Sequence, residues 1–375
     1  MDDAQGRPDV FLNGSATRND KCSFMRTALR QCPSVRKVAL LTAGLALLLG
    51  AGGSFVAAGE VGLRTLQIQY RRPAGIPYPK EDQFSRAKYE LGRTLFFDPI
   101  LSGAKVRSCS SCHNPGLSWA DGQPRAIGED QKPLSSGMRS PTLLNVAWAP
   151  KLGWDGHFQD LESVAIGPIT SPENMNLPEP TMLQRLSAIP GYAGAFAAAF
   201  GKGGITTPKV EEALATFERS IVSRGAPFDR WVMGDPNAIS AAARRGFVLF
   251  NGKANCAACH SGWAFTDASF HDIGVAKDDD VGRGRLFPSS VKLKYAFKTP
   301  TLRDVARRGP YMHDGSLPTL ADVIDLYNRG GVDRPSRDPE IHQLGLLPED
   351  KADLIAFLQT LSGQRDQVEV PVLPR

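Results

Sequence analysis

Two short runs stand out among the residues of this chain that could do chemistry: Cys109-Ser110-Ser111-Cys112-His113 and Cys256-Ala257-Ala258-Cys259-His260. In each, two thiols one helical turn apart are followed at once by an imidazole. That spacing lets both sulfurs reach the two vinyl groups of one porphyrin, while the histidine falls beneath the iron as a ligand. Cys-x-x-Cys-His is accordingly the attachment signature of c-type haem. A structural zinc site needs four closed ligands, and its cysteine pairs are normally separated by a short loop, not by nearly half a chain. A redox dithiol needs no histidine after its second cysteine. The chain is therefore expected to carry two covalent haem c groups, one through Cys109, Cys112 and His113, the other through Cys256, Cys259 and His260.

The surrounding elements read as helices. From Gln83, the residues Phe84, Ala87, Leu91 and Leu95 recur on one helical face, and Asp98-Pro99 ends the run. Val210, Ala213, Leu214, Phe217 and Ile221 repeat that period, as do Leu354, Ile355, Leu358 and Leu361 before Gly363. Alternating strand patterns are scarce, so the fold class is mostly α. Between the helices lie Gly- and Pro-rich stretches, 114 to 160 and 262 to 300. Irregular segments of that length need something to order them, and a large buried cofactor would do so. There is also an internal echo: Gly92 to Phe96 precedes the first haem motif as Gly246 to Phe250 precedes the second. With 375 residues, enough for two separate cores, the expected plan is a leader over 1–60 and an extended linker over 61–80. A first haem domain over 81–225, a second over 226–367 and a tail over 368–375 complete it.

The leader carries an address. Val38 to Gly59 holds no charge and is rich in leucine, with basic residues before it and Val56-Ala57-Ala58 as a cleavage site. That is the layout of a secretory signal, and its length also suffices for an N-terminal membrane anchor. Either use puts the rest of the chain in the periplasm. Cys22 and Cys32 fall in this leader, which leaves the four motif cysteines. The net charge of +5 owes part of its excess to the leader, and no basic stripe with interleaved aromatics points to nucleic acid.

From about residue 83 to 367 the chain resembles the bacterial dihaem cytochrome c peroxidases and the related MauG-type enzymes of methylamine utilization. The matching stretches are Leu91–Asp98, Ser140–Thr142, Trp154–Gly156, Gly167–Ile169, Thr299–Arg303 and Pro310–Gly315, in the family order around both haem motifs. The resemblance implies two cytochrome c-like domains. The N-terminal haem would react with hydrogen peroxide, and the C-terminal haem would relay or store oxidising equivalents. Trp154 matches the tryptophan between the haems, a stepping stone for electrons. Tyr327 falls where peroxidases place a Met ligand to the C-terminal iron and MauG-type enzymes a Tyr; Met312 is the rival ligand. A phenolate stabilises oxidised iron where a thioether favours reduced iron, so Tyr327 tilts the reading toward the MauG-like branch. No histidine lies between His113 and His157, which implies a five-coordinate N-terminal iron. For the acid/base that helps split peroxide, Glu173 is the candidate and Glu129 the reserve, although Asn174 aligns with the family carboxylate. Arg139 and Arg308 stand where the family holds calcium, so calcium is expected to be absent. His157, His271, His313 and His342 are read as structural.

The resulting function is a peroxide-dependent oxidoreductase of MauG type, with a redox protein or protein substrate as partner. The alternatives are a cytochrome c peroxidase fed by a small redox protein and a non-catalytic dihaem electron carrier.

Overall fold

A computed structural model of the chain describes residues 62–365 and 367–375. The leader, including its uncharged stretch, lies outside the described residues. Eleven α-helices, six short 3₁₀ turns and one short hairpin make up the regular structure of the described part. The helices are α1 (Arg86–Phe97), α2 (Cys109–Cys112), α3 (Leu161–Thr170), α4 (Glu179–Ser187) and α5 (Pro190–Phe200), then α6 (Thr207–Arg219), α7 (Pro227–Val232), α8 (Ala241–Asn251), α9 (Leu320–Arg329) and α10 (Pro348–Gln359). Strands β1 (Phe270–His271) and β2 (Phe297–Lys298) pair antiparallel, Phe270 opposite Lys298. A further helix spans 62–69.

Two aromatic-rich cores are built the same way. In the first, α1 crosses α6; in the second, α8 crosses α10. Each crossing is set by a glycine whose Cβ would collide with a backbone carbonyl of the partner helix. A methyl on Gly92 would lie 1.9 Å from the Ala213 oxygen, and one on Gly246 would lie 2.0 Å from the Asp353 oxygen. Only a residue without a side chain allows so close an approach. Each crossing packs against a triad of rings. Phe96 and Phe217 are 5.1 Å apart, with Trp119 at 5.8 and 6.1 Å. Phe250 and Phe357 are also 5.1 Å apart, with Phe265 at 5.9 and 6.0 Å. The echo seen around the haem motifs thus extends through the whole of each core.

Two sequence expectations need correction here. Residues 61–80 are not wholly extended: 62–69 form a helix, and Leu63, Leu66 and the 1 % exposed Tyr70 pack into the second core. The Pro and Gly residues that argue against helix all follow this stretch. Tyr70 stacks on Phe265 and donates to the Asn251 side chain at 2.7 Å. Phe84 lies outside α1, which starts after the Ser85 cap, and is half exposed. The opposite end of the chain crosses over too. Val368 packs on the first core, and Pro374 lies against Gly191 of α5. Each terminal segment thereby buries apolar surface on the other half.

Candidate functional site

The first haem motif forms α2, capped by a reciprocal pair of hydrogen bonds between Ser108 and Ser111. The second forms a 3₁₀ turn entered through Asn255 in the left-handed conformation. Both arrive at the same geometry: the amide of His113 bonds the Cys109 carbonyl at 2.9 Å, and that of His260 bonds the Cys256 carbonyl at 2.9 Å. The imidazoles are then tethered alike. His113 Nδ1 meets the Trp119 carbonyl at 3.3 Å, and His260 Nδ1 meets the Phe265 carbonyl at 2.8 Å. An Nδ1–H given to a carbonyl leaves Nε2 as the nitrogen available to a metal. Burial holds both rings below the ordinary histidine range, so they are neutral at pH 7.

Each motif opens on its own cavity. Cys109, Cys112 and His113 line one; Cys256, Cys259 and His260 line the other. None of these four cysteines is joined in a disulfide. Each cavity therefore presents the two sulfurs and the one oriented imidazole that a covalently attached haem requires, in walls made largely of carbon. The residues fit the group.

One wall of the cavity that His260 lines is α9, which begins at a Thr319–Asp322 capping box and stops at Gly330 with φ 82°. Its apolar face, Leu320, Val323, Ile324 and Tyr327, lines the C-terminal cavity. Burial pushes the Tyr327 phenol up from its ordinary value. Met312, the rival ligand, lines the same cavity. In the N-terminal cavity α3 supplies Leu161, Val164, Ala165, Pro168 and Ile169, side chains with no donor atom. Met138, Met175 and His157 complete that lining with other residues.

Trp154 lines both cavities. Its Nε1 donates to the Arg139 carbonyl at 2.9 Å, and its ring lies 6.4 Å from His313. The two rings occupy equivalent places in the two halves. Arg139 donates its amide to the His313 carbonyl at 2.8 Å, and Lys298 donates its amide to the Trp154 carbonyl at 2.8 Å. The segments Ser140-Pro141-Thr142 and Thr299-Pro300-Thr301 that follow Arg139 and Lys298 are likewise paired. Thr142 Oγ1 donates to the Ser118 carbonyl at 2.7 Å and Thr301 Oγ1 to the Ala264 carbonyl at 2.6 Å. The wall between the cavities is thus a pseudo-twofold contact.

Glu173 does not reach either cavity. It is exposed and accepts from the Ser135 hydroxyl at 2.6 Å, which holds its carboxyl below the usual range. Its neighbour Asn174 lines the N-terminal cavity instead. The reserve, Glu129, is tied to the Ala104 amide at 2.6 Å and does not line the cavity either. The reason is local: the turn leaves Pro172 and Glu173 at the surface and brings Asn174 and Met175 to the cavity wall, so a one-residue shift exchanges surface for wall.

Sequence reasoning missed a buried carboxyl. Glu218 is 7 % exposed, lines the N-terminal cavity and has no hydrogen-bond partner at Oε2. Burial raises its pKa to about 8. The adjacent Arg219 pairs with Asp82 and Glu162, and its pull on the Glu218 carboxyl is weaker than the effect of burial. The signal lay in the repeat: Phe217 and Phe357 are equivalent, so Glu218 stands where the other half has Leu358, which lines its own cavity. Arg139, Lys298 and Arg308 are the other cavity residues that the motifs did not point to as a group.

The di-haem cytochrome c peroxidase family description matches residues 86–237, and the cytochrome c description matches residues 243–362. The methylamine utilization protein MauG of Methylorubrum extorquens is 47 % identical over 87 % of this chain and 92 % of its own length. The cytochrome c551 peroxidase of Pseudomonas aeruginosa is 33 % identical over 77 % of this chain and 83 % of its own. Among solved structures, a MauG-like protein associated with microbial copper homeostasis superposes with a TM-score of 0.72 at 28 % identity, over 78 % of this chain and 94 % of that one.

Proposed function

The chain belongs to the di-haem cytochrome c peroxidase and MauG family and is a MauG-like haem oxidoreductase of the peroxidase type; from that premise we propose how its two cavities divide the work. One haem c would be held by Cys109, Cys112 and His113 and a second by Cys256, Cys259 and His260, with Tyr327, in the wall of the latter's cavity, available as a further ligand. When bound, these groups supply the redox chemistry, taking two oxidising equivalents from hydrogen peroxide as it is reduced to water.

The chain's own residues set direction and storage. Peroxide is expected at the N-terminal cavity, where the α3 wall offers carbon only. As a ligand, the Tyr327 phenolate would favour the oxidised state of an iron held in that cavity, and a protein substrate or redox protein would be the partner that consumes the oxidising equivalents. Trp154 carries electrons between the cavities. The atom bonded to its Nε1–H is a backbone carbonyl, which cannot accept a proton, so Trp154 passes an electron and keeps its proton. Calcium has no part in this reading, because Arg139 and Arg308 bring cations to the intervening wall. The leader exports the protein to the periplasm, cleaved or kept as an anchor.

The observation that carries the reading is a single indole shared by the walls of two haem-competent cavities. Spectroscopy of the purified holoprotein tests it. One high-spin and one low-spin ferric signal at rest are expected, with both changed by one equivalent of peroxide. Two low-spin signals, through Met138, Met175 or His157, would favour an electron carrier. A response to peroxide only after reduction by a donor cytochrome would favour a cytochrome c peroxidase.

A further inference from the structure

The C-terminal cavity has an unbalanced charge. Arg308 lines it, Arg139 and Lys298 line both it and the N-terminal cavity, and its one carboxylate lining residue, Glu340, accepts from the Asn255 side-chain amide at 2.6 Å. Lys298 has a partner, since its Nζ donates to the Lys151 carbonyl at 3.0 Å. The two guanidinium groups are less well served. Arg139, 6 % exposed, gives one NH to the Arg308 carbonyl at 2.9 Å, and its Nε has no partner. Arg308 gives an NH to the Thr301 carbonyl at 2.5 Å, and its Nε also has none. Among the described residues no carboxylate forms an ion pair with either. Burial and mutual repulsion lower the pKa of Arg308 to about 10, and burial lowers that of Arg139. Two buried guanidinium groups side by side, each with an idle donor, are costly without an anion between or beside them. The guanidinium fork is shaped for a carboxylate.

We propose that Arg139 and Arg308 form a carboxylate clamp in the wall between the cavities, and that its ligand is the pair of carboxylate side chains borne by the porphyrin of the C-terminal cavity. The inference rests on the reading that a haem is attached there. The clamp would keep those carboxylates ionised at every pH the protein meets, fix the macrocycle's tilt against Trp154 through the Arg139 carbonyl, and hold positive charge near the iron in place of a metal ion.

The test uses holoprotein carrying Arg139→Gln, Arg308→Gln or both, with Arg308→Lys as the charge-conserving control. Mass spectrometry of each variant first counts covalent haems. Two haems are expected throughout, because attachment is through the cysteines; a wild-type count below two would overturn the functional reading, not the clamp. The midpoint potential of the C-terminal haem is then measured from pH 5 to 8. Wild type should be flat with pH. The double variant should lose at least a factor of ten in its ferrous-to-ferric ratio at fixed potential, about 59 mV downward for one electron, and acquire a pH dependence as the freed carboxylates take up protons. Arg308→Lys should keep most of the potential and restore the flat profile. Unchanged potential and profile in the double variant, with both haems present, would overturn the clamp. Titration with phosphate or chloride at constant ionic strength separates the sources of the anion. An unmoved potential supports the porphyrin carboxylates, and a saturable shift in wild type would mean a soluble anion and overturn the assignment.

Discussion

The two halves of the molecule share a scaffold and differ in what they aim at the iron. Gly92 and Gly246 permit the same helix crossing, equivalent ring triads seal it, and each axial histidine is tethered to a carbonyl five or six residues on. Against that common frame, the N-terminal half faces its histidine with the aliphatic side chains of α3 and hides Glu218 where the other half has Leu358. The C-terminal cavity carries Tyr327 in its wall instead, and it alone is lined by Arg308, while Arg139 and Lys298 line both cavities. Attachment is thus a property of the duplicated fold, whereas reactivity is written in a few wall positions that the duplication does not constrain.

The comparison breaks most completely by removing one attachment at a time. Cys109→Ser with Cys112→Ser should leave a one-haem protein that no longer reacts with peroxide. Cys256→Ser with Cys259→Ser should leave one that reacts but stores nothing in the second half; haem-specific mass and rapid-mixing spectra distinguish them. Next in size are the glycines. Gly92→Ala and Gly246→Ala should each cost about 3 kcal/mol, since a methyl forced onto a carbonyl strains a close-packed crossing. Near-equal losses in thermal denaturation would mark the crossings as equivalent, and a cost in only one would refute that.

Changing the wall residues should affect one half alone. Tyr327→Met should raise the potential of the C-terminal haem on the order of 0.1 V, within the ~0.8 V that axial ligands span, with no change at the N-terminal haem; an unaltered spectrum removes Tyr327 as a ligand. Trp154→Phe should keep both haem spectra and slow the passage of electrons between them by roughly tenfold, equivalent to about 1.4 kcal/mol of barrier. Equal rates would make Trp154 a packing residue.

A pH-dependent difference between the halves concerns Glu218. It ionises near 4.5 when unfolded and about 8 when folded. Its folded pKa is raised, so the stability it contributes is full below pH 4.5 and is lost as pH climbs through 8. Glu218→Gln, neutral at all pH, should therefore gain stability over wild type progressively between pH 5 and 8, reaching about 5 kcal/mol at the upper end because folding raises the pKa from 4.5 to about 8. Glu218→Leu, which copies the other half, should behave the same way. A constant difference across that range would show that Glu218 is ionised in the fold.

Much of this was legible in the sequence because it is local. Cys-x-x-Cys-His needs only one turn of chain, so both attachment sites could be read directly. The period of Val210, Ala213, Leu214 and Phe217 gave α6, and the Thr319 cap with Gly330 gave the limits of α9. A resemblance pointed to Trp154 and Tyr327, and the structure lines the cavities with both. What failed was what depends on which way a side chain points after the chain has folded back on itself. Glu173 and Asn174 are adjacent in sequence, yet one faces solvent and the other a cavity. Leu63 and Leu66 lie before a Pro- and Gly-rich stretch whose composition masked their helix, and only a partner surface far along the chain stabilises it.

Sequence by itself determined the chemistry that needs neighbours along the chain: two haem-attachment motifs, their histidines and the helices around them. Tertiary structure decided the chemistry that needs neighbours across space. It made Trp154 the common wall, set it opposite His313, buried Glu218 and brought Arg139 to Arg308. The physical reason is range: covalent spacing and helical period act over a few residues, while burial, charge pairing and cavity walls are set by segments more than a hundred residues apart.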